Sequence, residues 1–186
     1  MRIEKTLRKD RETIQRFLDV FGGASATLGS SNTHAQPGFF ITGGAFIHEC
    51  LEPVFFRKVD VLLTALEQAG LPADSGTIGA MKNGQEKCRD AANLLVKAAT
   101  DWQAGDASMR AELIWASSEF TTSLRQNMER LKNLIYPLLD QNISADEEQK
   151  ILDSLSAIAS EYNSQTGGDK HIKLIESIEE EFSEWK

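Results

Sequence analysis

Few side chains in this sequence could do chemistry, and their spacing limits which chemistry. His48 and Glu52 are four residues apart, so on a helix they present an imidazole and a carboxylate on one face. That is a two-ligand metal face, whereas a metal site needs three or four ligands and no facing helix offers a histidine. His34 lies in a loop-like stretch and His171 near the C-terminus, far from that pair in sequence. Cys50 and Cys88 fall inside expected helices with no base at a suitable spacing, and they read as free, buried thiols packed in a core. The glycine pairs match no phosphate-binding loop. Phe55, Phe56 and Met81 read as core, with the wall of a small-ligand pocket as the alternative.

The whole chain must supply the frame for these residues. Its 186 residues suit one domain (1–186) with a core of its own. The net charge of −8 and the absence of a basic stripe make nucleic acid an unexpected partner. No apolar run reads as long enough to cross a bilayer, so no membrane span is expected. The mixed-charge start, Met1 to Lys5, does not resemble a signal peptide, and a reducing cytoplasm is the expected location.

Alternation of apolar and polar residues is almost absent, while helical periodicity runs throughout. Leu7, Arg11, Ile14, Leu18 and Phe21 mark one face of a first helix, expected to end at Gly22-Gly23. Residues 24–44, rich in Ser, Gly, Thr and Asn, read as a long loop that is either functional or partly mobile. A second helix is expected from about Ala45 to Ala69, with the stripe His48, Glu52, Phe55, Val59, Leu62 and Leu66 and with Pro53 able to kink it. A third starts near Ser75-Gly76 and carries Ile78, Met81, Gln85, Cys88, Ala92 and Leu95. A fourth, from about Ala107 to Leu139, carries Phe120, Leu124, Asn127, Leu131, Leu134 and Leu138. Ser144 to Glu147 forms a capping box, and the extension at 144–186 holds one or two further helices split by Gly167-Gly168. The fold class is all-α: an antiparallel up-down four-helix bundle with one or two additional C-terminal helices.

The stripes are interrupted by Arg11, by His48 and Glu52, by Gln85 and by Asn127. Buried polar groups must be paired, so interruptions on four helices point to one shared polar locus.

At these positions the chain resembles the hemerythrin-like (HHE cation-binding) family over nearly its whole length. The segment Leu7 to Ile14 resembles the family's first ligand helix. Phe46-Ile47 through Asp60 and on to Leu66-Glu67-Gln68-Ala69-Gly70-Leu71-Pro72 resembles the second, Ile78, Met81 and Arg89 the third, and Leu124 through Tyr136-Pro137 the fourth. The resemblance implies two metal ions, usually iron, held between four helices by histidines and carboxylates. Here those ligand positions read Arg11, Phe55, Val59, Gln85, Asn127 and Leu131. Two registers one residue apart fit the second helix; neither puts a histidine among Val54, Phe55 and Phe56, and the carboxylate positions include at most Asp60. Arginine is permanently cationic, and Phe, Val and Leu have no donor.

The implied protein is therefore a degenerate, metal-free member with no cofactor and no enzymatic activity. Arg11 is expected in the former metal cavity, held by Gln85, Asn127 and a carboxylate from Glu52 or Asp60, with Gly84 leaving room for it. The expected role is a binding, regulatory or structural module. It would act on a protein partner, on a second copy of itself in a homo-oligomer, or on a small ligand in the bundle cavity. The alternative is a metal-binding protein for oxygen, nitric oxide or iron handling that uses non-homologous ligands, with His48 and Glu52 as the pair to supply them.

Overall fold

The computed structural model describes residues 1–30 and 34–185. It is 86% helix with no strand among the described residues, as the periodicity requires. A short α1 (Arg2–Thr6) runs into α2 (Arg8–Leu28) through Leu7. The Leu7 amide donates to Ile3 and the Arg11 amide to Leu7, each at 3.0 Å, so the chain hardly breaks there.

Helix α2 does not end at Gly22-Gly23. Neither glycine has a positive φ. A Cβ on Gly22 would lie 2.9 Å from the Arg125 guanidinium, and one on Gly23 would lie 3.1 Å from the Phe182 ring. These glycines permit close packing instead of releasing the helix.

The expected loop at 24–44 is correspondingly short. Helix α3 (Pro37–Gln68) begins at Pro37, not near Ala45, because proline's missing N–H costs nothing in a first turn and its φ is already helical. The connection is 29–36, of which Ser31, Asn32 and Thr33 lie outside the described residues. Gly43 and Gly44, which suggested a loop, sit under Phe21 and Val96; a Cβ on either would come within 2.5 Å of those side chains.

Contrary to the sequence reading, α3 is long and apolar enough to cross a membrane by length and composition, with a mean hydropathy of 1.2 in its most apolar window. More than half of that window, 56%, is buried within the fold. Its apolar side chains form the core: Phe17 stacks on Phe46 with centroids 4.4 Å apart, and Phe21 packs on Phe39 and Phe40.

Pro53 has no N–H to give, and the backbone around it, Ile47–Phe56, widens into a π-helix. Helices α4 (Gly76–Gln103) and α5 (109–142) form the most extensive helix pair. Helix α5 contains a second π segment, Leu131–Ile135, just before Pro137. Both wide segments shift the buried face by one residue. In α5 the inward side chains after Leu131 are Ile135 and Leu139 rather than Leu134 and Leu138, and Leu134 is 45% exposed. In α3, Ile47 and Leu51 turn inward where His48 and Glu52 were expected.

Helix α6 (Ala145–Thr166) starts on the expected capping box. The Glu147 amide donates to Ser144 Oγ at 3.3 Å, and the Ser144 amide donates to the Glu147 carboxylate at 2.6 Å. Gly167, at φ +79°, ends α6 in a left-handed conformation. Helix α7 (Lys170–Ser183) then folds back over α2 and α3, bringing Trp185 to 4.7 Å from Phe39.

Candidate functional site

Of the positions expected to form one polar locus, Gln85 and Asn127 are buried while Arg11, His48 and Glu52 are partly exposed, and they do not converge on Arg11. Phe55, Val59, Gln85, Asn127 and Leu131 are all in the interior. The Gln85 amide nitrogen donates to the Phe56 carbonyl at 3.3 Å, tying α4 to the end of the π segment in α3. Asn127 Oδ1 accepts from Arg130 at 3.0 Å. Glu52 faces His48 at 3.3 Å, and both are partly exposed.

Asp60 is exposed beside Arg89 and Gln85. Arg11 keeps 28% of its side chain in solvent and pairs with Glu4 at 4.0 Å, while its Nε is buried without a partner. The expected clasp of Arg11 by Gln85, Asn127 and Glu52 or Asp60 is thus replaced by four separate local arrangements. Gly84 makes room for Asn127, not for Arg11: a Cβ there would lie 2.0 Å from Asn127 Oδ1.

Chemistry-bearing side chains gather elsewhere. A cavity of about 420 Å³ lies between the start of α2, the π segment of α3, α6 and the start of α7. The π repeat builds its apolar wall, since Phe46 and Leu51, and likewise Cys50 and Phe55, are five residues apart and face the same space. Lys58, one helical turn past Phe55, lies along it with only 8% of its side chain exposed and hydrogen-bonds Asp10 at 2.7 Å. An ammonium so placed requires a carboxylate, and α2 supplies it. Across the cavity, the Tyr162 hydroxyl donates to Cys50 Sγ at 3.1 Å. His171, from the first turn of α7, completes the wall; its Nδ1 is buried and has no partner.

The electrostatics favour holding a molecule over attacking one. Burial pushes the Cys50 thiol up, and the bond from Tyr162 only partly offsets this. Burial pushes Cys88 up to about 12. Both cysteines are free and buried, as the sequence suggested, and neither supplies a thiolate near neutral pH. Burial lowers His171 below the usual histidine value, so its ring is neutral at pH 7.

Iron, which the family resemblance implies, does not fit the residues present. Of the six expected positions only the amides of Gln85 and Asn127 carry an oxygen donor, and Asn127 already spends its oxygen on Arg130. Among the described residues no three His, Cys, Asp or Glu side chains come together.

Lys58, Asp10, Tyr162 and His171 were missed as site residues. Tyr162 alone left a signal, as a hydroxyl in the apolar stripe of α6 that needs a buried partner. Comparison with protein-family models, with curated proteins and with solved structures matches none of them.

Proposed function

We propose that this chain is a metal-free, hemerythrin-like helical module that works by binding a small molecule and catalyses no reaction. On this reading α2 to α5 are the antiparallel four-helix bundle of that family, and α6 and α7 are additions that wall off a pocket beside it. One observation carries the proposal. Lys58, Asp10, Tyr162 and His171 line one cavity, while among the described residues no three His, Cys, Asp or Glu side chains converge as metal ligands. A cavity of about 420 Å³ falls within the ~300–1,000 Å³ typical of small-molecule sites, which combine apolar walls with a few placed polar groups. Burial holds Cys50, the thiol on the pocket wall, protonated, which leaves the pocket without an activated thiol nucleophile.

The test is elemental analysis with an optical spectrum of protein from iron-supplemented cells. Near-zero metal in a folded protein is the expected result. About two metals per chain, as the intact family's two-metal site would hold, would overturn the proposal and restore a redox or oxygen-handling role. One bound metal, lost in a His48→Ala variant, would favour the His48–Glu52 pair instead.

A further inference from the structure

We infer that the pocket between α2, α3, α6 and α7 takes a small amphipathic carboxylate. Its head group is held by Lys58 and His171 and its apolar body by Phe46, Leu51, Val54 and Phe55. The inference rests on the binding-module reading above and specifies the ligand of that module.

The first argument is unspent hydrogen-bonding capacity. The Lys58 ammonium has three N–H donors, yet its one hydrogen bond among the described residues goes to Asp10. With only 8% of the side chain in solvent, water is a poor substitute for the missing acceptors. His171 Nδ1 on the same cavity is buried and unpartnered. A carboxylate offers two oxygens and about four lone pairs, which meets both needs at once.

The second argument is charge. The charged residues lining the cavity are Lys9, Lys58 and Asp10, two cations against one anion, in a chain whose net charge is −8. Beside the cavity-lining His171 in sequence, Lys170 pairs with Glu49, and Lys173 with Asp169 at 2.8 Å, so these two pairs add no net charge. One spare positive charge matches a monoanion. An amine would meet that excess directly, and a phosphate dianion would leave a charge uncompensated against apolar walls.

The third argument is shape. Phe46 and Leu51, five residues apart across the start of the π segment, line with Val54 and Phe55 the same space as Lys58, so an acid with an apolar tail covers both parts of the pocket.

Binding should also take up a proton. Burial lowers the His171 value, and the groups facing the ring are Asp10 and Lys9 from α2, Lys58 from α3, Tyr162 from α6 and Asp169 before α7, the two carboxylates opposing the shift and the two lysines adding to it. A carboxylate placed beside it favours the imidazolium.

The experiment is calorimetric titration of the full chain with decanoate, decanol and decylamine at pH 6, 7 and 8. Decanoate should bind at least about ten-fold more tightly than decanol, the scale of one charge-assisted bond. It should bind more tightly at pH 6 than at pH 8, and decylamine should not bind. Lys58→Met should reduce decanoate to the level of decanol. His171→Phe should remove the pH dependence, and thermal unfolding of each variant checks that it folds. Ala159→Phe, which fills the pocket from α6 without touching a charge, should abolish binding of both decanoate and decanol.

Equal affinity for decanol and decanoate overturns the carboxylate assignment and leaves an apolar small-molecule pocket standing. Failure of decanoate to bind at millimolar concentration also overturns it. Unchanged decanoate binding in Ala159→Phe overturns the location. The metal analysis decides the module reading separately from all of these.

Discussion

Two regions of this molecule hold polar side chains in its interior, and they use them differently. Between α4 and α5 the buried amides bond within the fold and do not line the cavity: Gln85 donates to a backbone carbonyl and Asn127 Oδ1 accepts from Arg130, with Asn127 Nδ2 left unpartnered and Gly84 making room beneath it. Between α2, α3, α6 and α7 the polar groups surround open space, and two of them, Lys58 and His171, retain bonding capacity that the fold does not use. The first region is packed core. The second resembles a receptor. A polar residue on a helix stripe therefore says that a partner is needed, but not whether that partner is the protein itself.

The comparison can be broken most directly at the Lys58–Asp10 pair. Asp10→Ala leaves a buried ammonium unpaired and should cost about 3 kcal/mol, the low end for an interior pair because Asp10 is partly open to solvent. Arg11→Ala, one residue on, should cost under about 1 kcal/mol, since its ion pair with Glu4 is long and exposed. Chemical denaturation of the two variants reads this directly, and equal losses would place Arg11 inside after all.

The packed region between α4 and α5 should respond to crowding. Gly84→Ala should destabilise by about 2 kcal/mol through overpacking against Asn127. In the double variant with Asn127→Ala the two effects should be non-additive, because the clash is removed with the amide. Strict additivity would mean that Gly84 serves some other contact.

The smallest expected effect is in pH dependence. Burial lowers the folded-state pKa of His171, so the unfolded chain binds more protons there than the native one. Its contribution to stability is present above the ordinary histidine value of 6.5 and is lost as pH falls through the lowered folded value. In His171→Phe, the decline in melting temperature on acidification through that window should be shallower than in the parent. An unchanged slope would place the titration in other groups.

Much of the fold was legible because helical periodicity and end signals are local. The capping box at Ser144, the breaks at Gly70 and Gly167, and the stripe Ile151, Leu155, Ile158 and Tyr162 all read correctly from the chain. The errors over which side of a helix turns inward share one cause. Counting in steps of three and four assumes an α-helix, and each π segment inserts one residue into that count. Hence His48 and Glu52, placed inward by an α-helical count, lie partly exposed, while Ile47 and Leu51 are buried. Leu134 is turned outward for the same reason. Glycine misled for a related reason: Gly22, Gly23, Gly43 and Gly44 look like breakers in sequence but are points of close helix contact.

The sequence by itself determined that the chain is helical, where most helices start and stop, and that Arg11, Phe55, Val59, Gln85, Asn127 and Leu131 include no histidine or carboxylate. Those properties depend on residue type and near neighbours. Only the tertiary structure decided which polar groups meet. Asp10 and Lys58 are separated by 48 residues, and Cys50 and Tyr162 by 112. Nothing local records such a pairing, because burial, and with it the need for a partner, exists only once α6 and α7 close over the widened turn at Pro53.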